Sequence, residues 1–152
     1  LVAIDEYEVS ISEDGENWSS TAQSELSTDF SLDFGQKYFV RVRSSNSAGE
    51  SSWTNEFQIS LPKQPKISQL KFRNMAKQVR VTWSAVTSNE IEVSGYEIAS
   101  SSNKTNWNKA KFVLKNSALF GQNSGKTLYY RVRVITDLGN SAWSKPIKYA
   151  RK

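Results

Sequence analysis

The 152-residue chain has no cysteine, so disulfides and thiolate metal sites are excluded. It has no histidine either, which removes the commonest general base and the commonest metal ligand. No apolar run approaches the roughly eighteen residues that span a bilayer, and nothing resembles a signal peptide. With leucine rather than methionine at position 1, the segment reads as excised or processed from something longer. A serine nucleophile would need a lysine base here, and no Ser-x-x-Lys stands in a context that would serve. There is no Gly-rich phosphate loop, and the acidic turn Glu13-Asp14-Gly15-Glu16 lacks the Asp-x-Asp spacing of a calcium loop. Glu6 and Glu8 fall on one strand face with no base beside them, so they read as solvated carboxylates. The expectation is a chain that is not an enzyme, with no catalytic residue, no cofactor and no metal.

What is present suits a packed core under a polar surface. Hydrophobic residues make up 38% and aromatics 12% of the chain, enough for a core. Charged residues at 23%, with a negative mean hydropathy, are the composition of a soluble protein. The net charge of +5 hides an asymmetry. Positions 1–62 hold eleven acids against Lys37, Arg41 and Arg43, a balance of −8 that leaves +13 for the rest. Opposite poles on one rod favour head-to-tail contacts or docking to an anionic surface. Drift between two modules accounts for the same numbers.

One stretch occurs twice. Residues 38–54 read YFVRVRSSNSAGESSWT and residues 128–144 read LYYRVRVITDLGNSAWS. They match at Arg41 and Arg131, Val42 and Val132, Arg43 and Arg133, Gly49 and Gly139, Ser51 and Ser141, and Trp53 and Trp143. The offset of about 90 residues is a repeat of domain size. Each copy is an alternating strand, a turn ending in Gly, and a Ser-x-Trp-Ser/Thr segment.

Along the chain, Tyr7, Val9 and Ile11 alternate with polar residues, the period of a half-buried strand. A turn through Gly15 leads to Trp18. The second copy repeats this as Tyr96-Glu97-Ile98, a polar turn through Ser102-Asn103-Lys104, and Trp107. Phe30, Leu32 and Phe34 alternate before Gly35 and predict a short strand. Tyr38, Val40 and Val42 face one way on the next strand, and Phe39, Arg41 and Arg43 the other. Trp53, Phe57, Ile59 and Leu61 are placed on the last strand of the first copy. The two prolines of Leu61-Pro62-Lys63-Gln64-Pro65 make a semi-rigid linker. Beyond it, Leu70 and Phe72, then Val79, Val81 and Trp83, predict two strands with no counterpart in the first copy. No segment shows sustained helical periodicity, and short strands between polar turns point to an antiparallel β-sandwich.

In both copies, and over nearly the whole chain, this pattern resembles the fibronectin type III family. That family's sandwich has seven strands in two sheets, a buried Trp on the second strand and a Tyr on the third. Trp83 and Tyr96 fill those places in the second copy, and Tyr7 fills the latter in the first, so the resemblance implies that these three, with Tyr38, are structural core residues. Gly35-Gln36-Lys37-Tyr38 resembles the approach to the sixth strand and makes Tyr38 the tyrosine-corner residue; the second copy departs from this, with Leu128 at the matching place. The Gly-x-Ser-x-Trp-Ser/Thr segments resemble the Trp-Ser-x-Trp-Ser box of cytokine-receptor modules, each keeping only the second Trp. In such boxes Arg side chains stack between aromatic rings, and Arg41 and Arg43 beside Trp53, and Arg131 and Arg133 beside Trp143, alternate correctly for that. Such a ladder is either an internal staple or a ligand-contacting surface. The turn-then-Trp spacing at Trp18 and Trp107 is similar to that of bacterial and phage modules.

The resemblance implies an all-β chain of tandem antiparallel β-sandwiches of fibronectin type III, immunoglobulin-like type. Residues 1–62 form an incomplete module lacking its first two strands, and residues 63–152 a complete one. Without those strands Tyr7, Val9, Val40 and Val42 are expected to face water. Either the segment is cut from a longer chain, or another chain donates the strands by β-augmentation. The implied role is a non-catalytic spacer or adhesion segment of a larger extracellular or cell-surface protein, its partners neighbouring modules or other protein chains. One alternative is a structural subunit of a surface filament or virion appendage, self-associating head to tail through its charge poles or by strand donation. Another is an accessory glycan-binding module using Trp18, Trp107, Phe39 and Tyr129. Lys71, Arg73, Lys77 and Arg80 lie on one predicted hairpin, which is either a solvated face or a surface for a polyanion or anionic glycan. No zinc, helix-turn-helix or RNA-recognition signature accompanies them, so no specific nucleic acid is expected.

Overall fold

Alternation of apolar and polar residues becomes strand through most of the chain, and the exceptions follow from which partners each strand has. The computed structural model describes residues 2–152 as two units, Leu1–Lys63 and Gln64–Lys152. Among the described residues all regular structure is β, and no helix is long and apolar enough to cross a membrane.

The first unit has five strands: β1 Glu6–Ser12, β2 Ser19–Gln23, β3 Lys37–Asn46, β4 Gly49–Glu50 and β5 Phe57–Ser60. They form one antiparallel sheet in the order β2-β1-β3-β4, with β5 also paired to β3. The β1–β3 register sets Val9 opposite Val42 and Ile11 opposite Val40, so the apolar sides of both strands share a face. Val9 is only 7% exposed and Tyr38 6%, whereas Tyr7, Val40 and Val42 are half-buried. The expectation that all four would face water is therefore corrected for Val9. Leu26 and Phe30 line the same groove as Tyr7, Val9, Val40 and Val42, so the segment after β2 shields part of it.

Two strand expectations fail in this unit. Phe30, Leu32 and Phe34 lie in an irregular segment, residues 24–36. Alternation alone does not make a strand: its amides need a ladder, and among the described residues the first unit has no second sheet to supply one. The last strand runs Phe57–Ser60, leaving Trp53 and Leu61 outside it, and Phe57 on it is 69% exposed.

The second unit has β6 Lys71–Asn74, β7 Gln78–Thr82, β8 Val93–Ser101, β9 Lys111–Val113, β10 Ser117–Gly121, β11 Thr127–Thr136, β12 Gly139–Asn140 and β13 Ile147–Ala150. One sheet runs β10-β7-β6; the other runs β12-β11-β8-β9, with β13 paired to β11. Val79, Val81 and Trp83 from the first sheet meet Tyr96, Ile98, Tyr130, Val132 and Val134 from the second in a buried core. Trp83 packs edge-on to Tyr96 at 5.4 Å between ring centroids, a favoured aromatic geometry. Phe72 stacks on Tyr149 at 4.5 Å. The Arg151 guanidinium donates to the Met75 carbonyl at 2.8 Å and to those of Ala76 and Gln122, tying the chain end to the β6–β7 turn.

The equivalent strands of the two units are thus covered differently. β8 and β11 have a sheet packed over their apolar face; β1 and β3 do not.

Candidate functional site

The site starts from a seven-residue turn that both units build alike. In the first, Ser12 Oγ accepts the Gly15 amide at 2.9 Å, and Asp14 Oδ1 accepts the amides of Glu16 and Asn17 at 2.8 and 2.7 Å. In the second, Ser101 Oγ accepts the Lys104 amide at 3.0 Å, and Asn103 Oδ1 accepts those of Thr105 and Asn106 at 3.0 and 2.9 Å. These side chains replace backbone partners through the turn. The fourth turn position is left-handed in both, at φ 78° for Gly15 and 65° for Lys104; glycine adopts this without strain, lysine does not. The turn ends by aiming an indole: Trp18 Nε1 donates to the Gly15 carbonyl at 3.1 Å, and Trp107 Nε1 to the Lys104 carbonyl at 2.9 Å.

Each indole is then the outer rung of a ladder. The Arg41 guanidinium carbon lies 3.9 Å from the Trp18 ring centre and 4.5 Å from that of Trp53, and Arg43 lies 4.6 Å from Trp53. In the second unit Arg131 lies 4.0 Å from Trp107 and 4.4 Å from Trp143, with Arg133 at 4.7 Å from Trp143. The Arg residues expected beside Trp53 and Trp143 are there. Trp18 and Trp107, which sequence reasoning set apart as a separate aromatic surface, sandwich the inner Arg from its other side. The Nε atoms of Arg41 and Arg131 are buried and find no hydrogen-bond partner among the described residues, so the ring faces are their main company. Burial, and then the nearby Arg133, lowers the pKa of Arg131.

A carboxylate closes the far end. Glu8 pairs with Arg43 at 2.5 Å and Glu97 with Arg133 at 2.6 Å, each directly across the strand register. Glu50 is a second partner of Arg43; Asn140 holds the corresponding place in the other unit. Glu8 is therefore not the free solvated carboxylate expected: the hydrogen bond from Arg43 lowers its pKa. Glu8 and Glu97 were missed as ladder members, although each precedes its Arg by about 35 residues in both copies.

The Ser-x-Trp-Ser/Thr boxes complete the strand edge without forming strand. Ser141 donates its amide to the Val134 carbonyl at 2.9 Å and accepts the Val134 amide on Oγ at 2.9 Å. Ser144 does the same with Val132, at 2.8 and 3.0 Å. Ser51 with Ser44, and Thr54 with Val42, repeat this in the first unit. A hydroxyl here takes the role of a ladder carbonyl, which explains why both boxes keep hydroxyl residues at these places.

The remaining candidates are placed as follows. Tyr38 accepts the Asp33 amide on its hydroxyl at 3.1 Å, as a corner residue should. In the second unit Leu128 has no hydroxyl; instead Tyr130, two residues on, donates to Gln122 Oε1 at 2.9 Å, and Gln122 Nε2 donates to the Lys126 carbonyl at 2.8 Å. Burial, reinforced by Tyr149, pushes the pKa of Tyr130 up to about 12. Trp83 and Tyr96 are core residues at 3% and 5% exposure, and Tyr96 accepts the Val86 amide at 3.0 Å. Tyr7, nominated as core, is half-buried. Tyr129 carries the Lys104 ammonium over its ring at 4.8 Å, and Phe39 lies against the Gly15 turn. Lys71, Arg73 and Arg80 lie on β6 and β7 with Lys77 in the turn between, and Arg73 is directly opposite Arg80. Among the described residues no cluster of three or more acidic, His or Cys side chains is arranged to hold a metal.

Two antiparallel sheets of seven main strands, with a buried Trp and Tyr at the predicted places, give the second unit the fibronectin type III architecture. The chain is similar to the crystal structure of the FN1–FN3 domains of chicken CNTN1, with 18% identity and a TM-score of 0.49 over 97% of this chain. It spans 56% of the length of that structure. A solved myokine structure is similar at 17% identity and a TM-score of 0.47, over 59% of this chain and 98% of its own. No family model matches the sequence, and no curated protein matches it.

Proposed function

We propose that the chain is a non-catalytic pair of fibronectin type III modules, residues 1–62 incomplete and 63–152 complete, acting as a spacer or adhesion segment of a larger extracellular protein. The observation that carries this is the ladder, built twice with rung distances that agree within 0.1 Å. Its indole N–H groups and guanidinium faces are used inside the module, which makes it a clamp on the sheet rather than a binding platform. The test is a soluble-glycan titration read by tryptophan fluorescence. The expected result is unchanged emission, and a saturable change would move Trp18 and Trp107 to a glycan-binding role.

A second reading is favoured by the charge balance of −8 in positions 1–62 and +13 in the remainder. A structural subunit joined head to tail through these poles would polymerise at low ionic strength and dissociate as salt screens them. Light scattering across a dilution series at low and high salt separates the two: the spacer reading expects a salt-insensitive monomer.

A further inference from the structure

The seven arginines of the chain divide by what they touch. Arg41, Arg43, Arg131 and Arg133 stack on indoles, and Arg151 donates to three backbone carbonyls. Arg73 and Arg80 are exposed, and among the described residues neither has a carboxylate or an aromatic ring as partner. They nevertheless stand directly opposite one another on β6 and β7. Like charges at directly opposed positions repel at a cost in stability. On its other side Arg80 faces Leu119 of β10, which brings no opposite charge.

The same face is cationic along its length. Lys71 lies two residues before Arg73 on β6, and Lys77 sits in the β6–β7 turn. Positions 63–152 hold only four acids, Glu90, Glu92, Glu97 and Asp137, and none is on β6, β7 or β10. Glu97 is paired with Arg133 in the other sheet, and Asp137 Oδ1 accepts the Glu92 amide at 3.1 Å. The anion that would relieve Arg73 and Arg80 therefore has to come from outside the unit.

The kind of anion follows from what else points outward. Thr82 and Ser117 continue the row of Lys71, and Gln78 and Gly121 form the next row beyond Arg80. No ring points out of this sheet to stack the bases of a single-stranded nucleic acid; Phe72 and Phe120 turn inward against Tyr130. Leu119 alone is too little apolar surface to insert into a membrane. A flat sheet of three strands offers a duplex groove neither a helix nor a two-stranded ribbon. Hydroxyl and amide groups around a line of cations suit a hydroxylated acidic chain, whose oxyanions a guanidinium fork takes two oxygens at a time.

We propose that the outer face of the β10-β7-β6 sheet binds an acidic polysaccharide. One sulfate or carboxylate group bridges Arg73 and Arg80, and its neighbours along the chain meet Lys71 and Lys77. This face is in the other sheet from the ladder and carries no tryptophan, so binding here adds to the spacer role and leaves indole emission unchanged.

The test titrates size-fractionated dextran sulfate and oligogalacturonate into the 152-residue chain, with neutral dextran as control, and follows backbone amide shifts by NMR. The expected result is saturable shifts confined to β6, β7 and β10 with at least one acidic probe, the tighter one identifying the acidic group, and none with dextran. Arg73→Gln with Arg80→Gln should weaken binding by about tenfold or more and lower the slope of log K against log salt by about two, one for each lost contact. Lys109→Gln with Lys111→Gln removes the same charge at β9, in the other sheet, and should leave binding nearly unchanged. Arg80→Glu turns the like pair into an ion pair; it should abolish binding while the second unit melts no earlier than the wild type, which separates loss of binding from loss of fold. Absence of shifts with both acidic probes, or equal losses from the two double variants, overturns the proposal. Tighter binding of single-stranded DNA or of anionic vesicles would assign the face to another partner and also overturns it. So does self-association of the chain that Arg73→Gln with Arg80→Gln abolishes, which would give the face to the acidic first unit of a second copy.

Discussion

Arg131 shows how a charged side chain is held on a sheet with few hydrogen bonds. It lies between Trp107 and Trp143 at 4.0 and 4.4 Å, with its Nε unpartnered, so ring contact has to offset its desolvation. A double-mutant cycle on Trp107 and Arg131 should give a coupling energy of about 0.5–2 kcal/mol in denaturant melts; zero coupling would make the stacking incidental. Asp14 offers a pH test. Hydrogen bonds from the Asn17 side chain, then from the Asn17 and Glu16 amides, hold its pKa well below the usual carboxylate range. A depressed folded pKa gives stability that is present above the unfolded value near pH 4 and lost as pH falls below it. The second unit has Asn103 in the same role, which does not titrate. Asp14→Asn should therefore flatten the acid dependence of the first unit while leaving its turn intact, as read by NMR melting from pH 6 to pH 2. In the core, Trp83→Ala should cost about 3–5 kcal/mol and unfold the second unit first; near-native melting of that variant would contradict the packing described.

At the scale of elements, the box strand edge makes its own prediction. Ser141 is 4% exposed and the Val134 it caps is fully buried, so Ser141→Ala leaves a buried amide without a partner. The expected loss is about 1–3 kcal/mol in thermal or chemical unfolding, with the amide of Val134 exchanging faster. Elements were legible wherever alternation coincided with a partner. β1, β3, β7, β8 and β11 all follow the period of two, and the paired Arg residues fell on the expected face. The failures are cases where something other than alternation decides. Phe30, Leu32 and Phe34 alternate as a strand but have nothing to pair with, while Ser19–Gln23 lacks an apolar pattern and forms β2 because β1 offers a free edge. Trp18 and Trp107 were legible as special but not as rungs, since only the folded turn shows which way an indole points. Glu8 and Glu97 were hidden because a strand-face carboxylate and an ion-pair partner look the same until register is known.

At the scale of the whole molecule, two copies of one design differ in how their sheets are covered. The second unit has two sheets and a buried cluster spanning both. The first has, among the described residues, one sheet, the same ladder, and an apolar face covered only in part. The ladder clamps strands together, but it lies on the face opposite to the core and does not replace the burial that a second sheet brings. Native-state amide exchange on the isolated chain tests this most directly. The amides of β7, β8 and β11 should exchange only through unfolding of their whole unit, while those of β1 and β3 should exchange much faster through a less stable one. Equal protection of β3 and β11 would mean that the first unit is as fully packed as the second, and would contradict its partly uncovered apolar face.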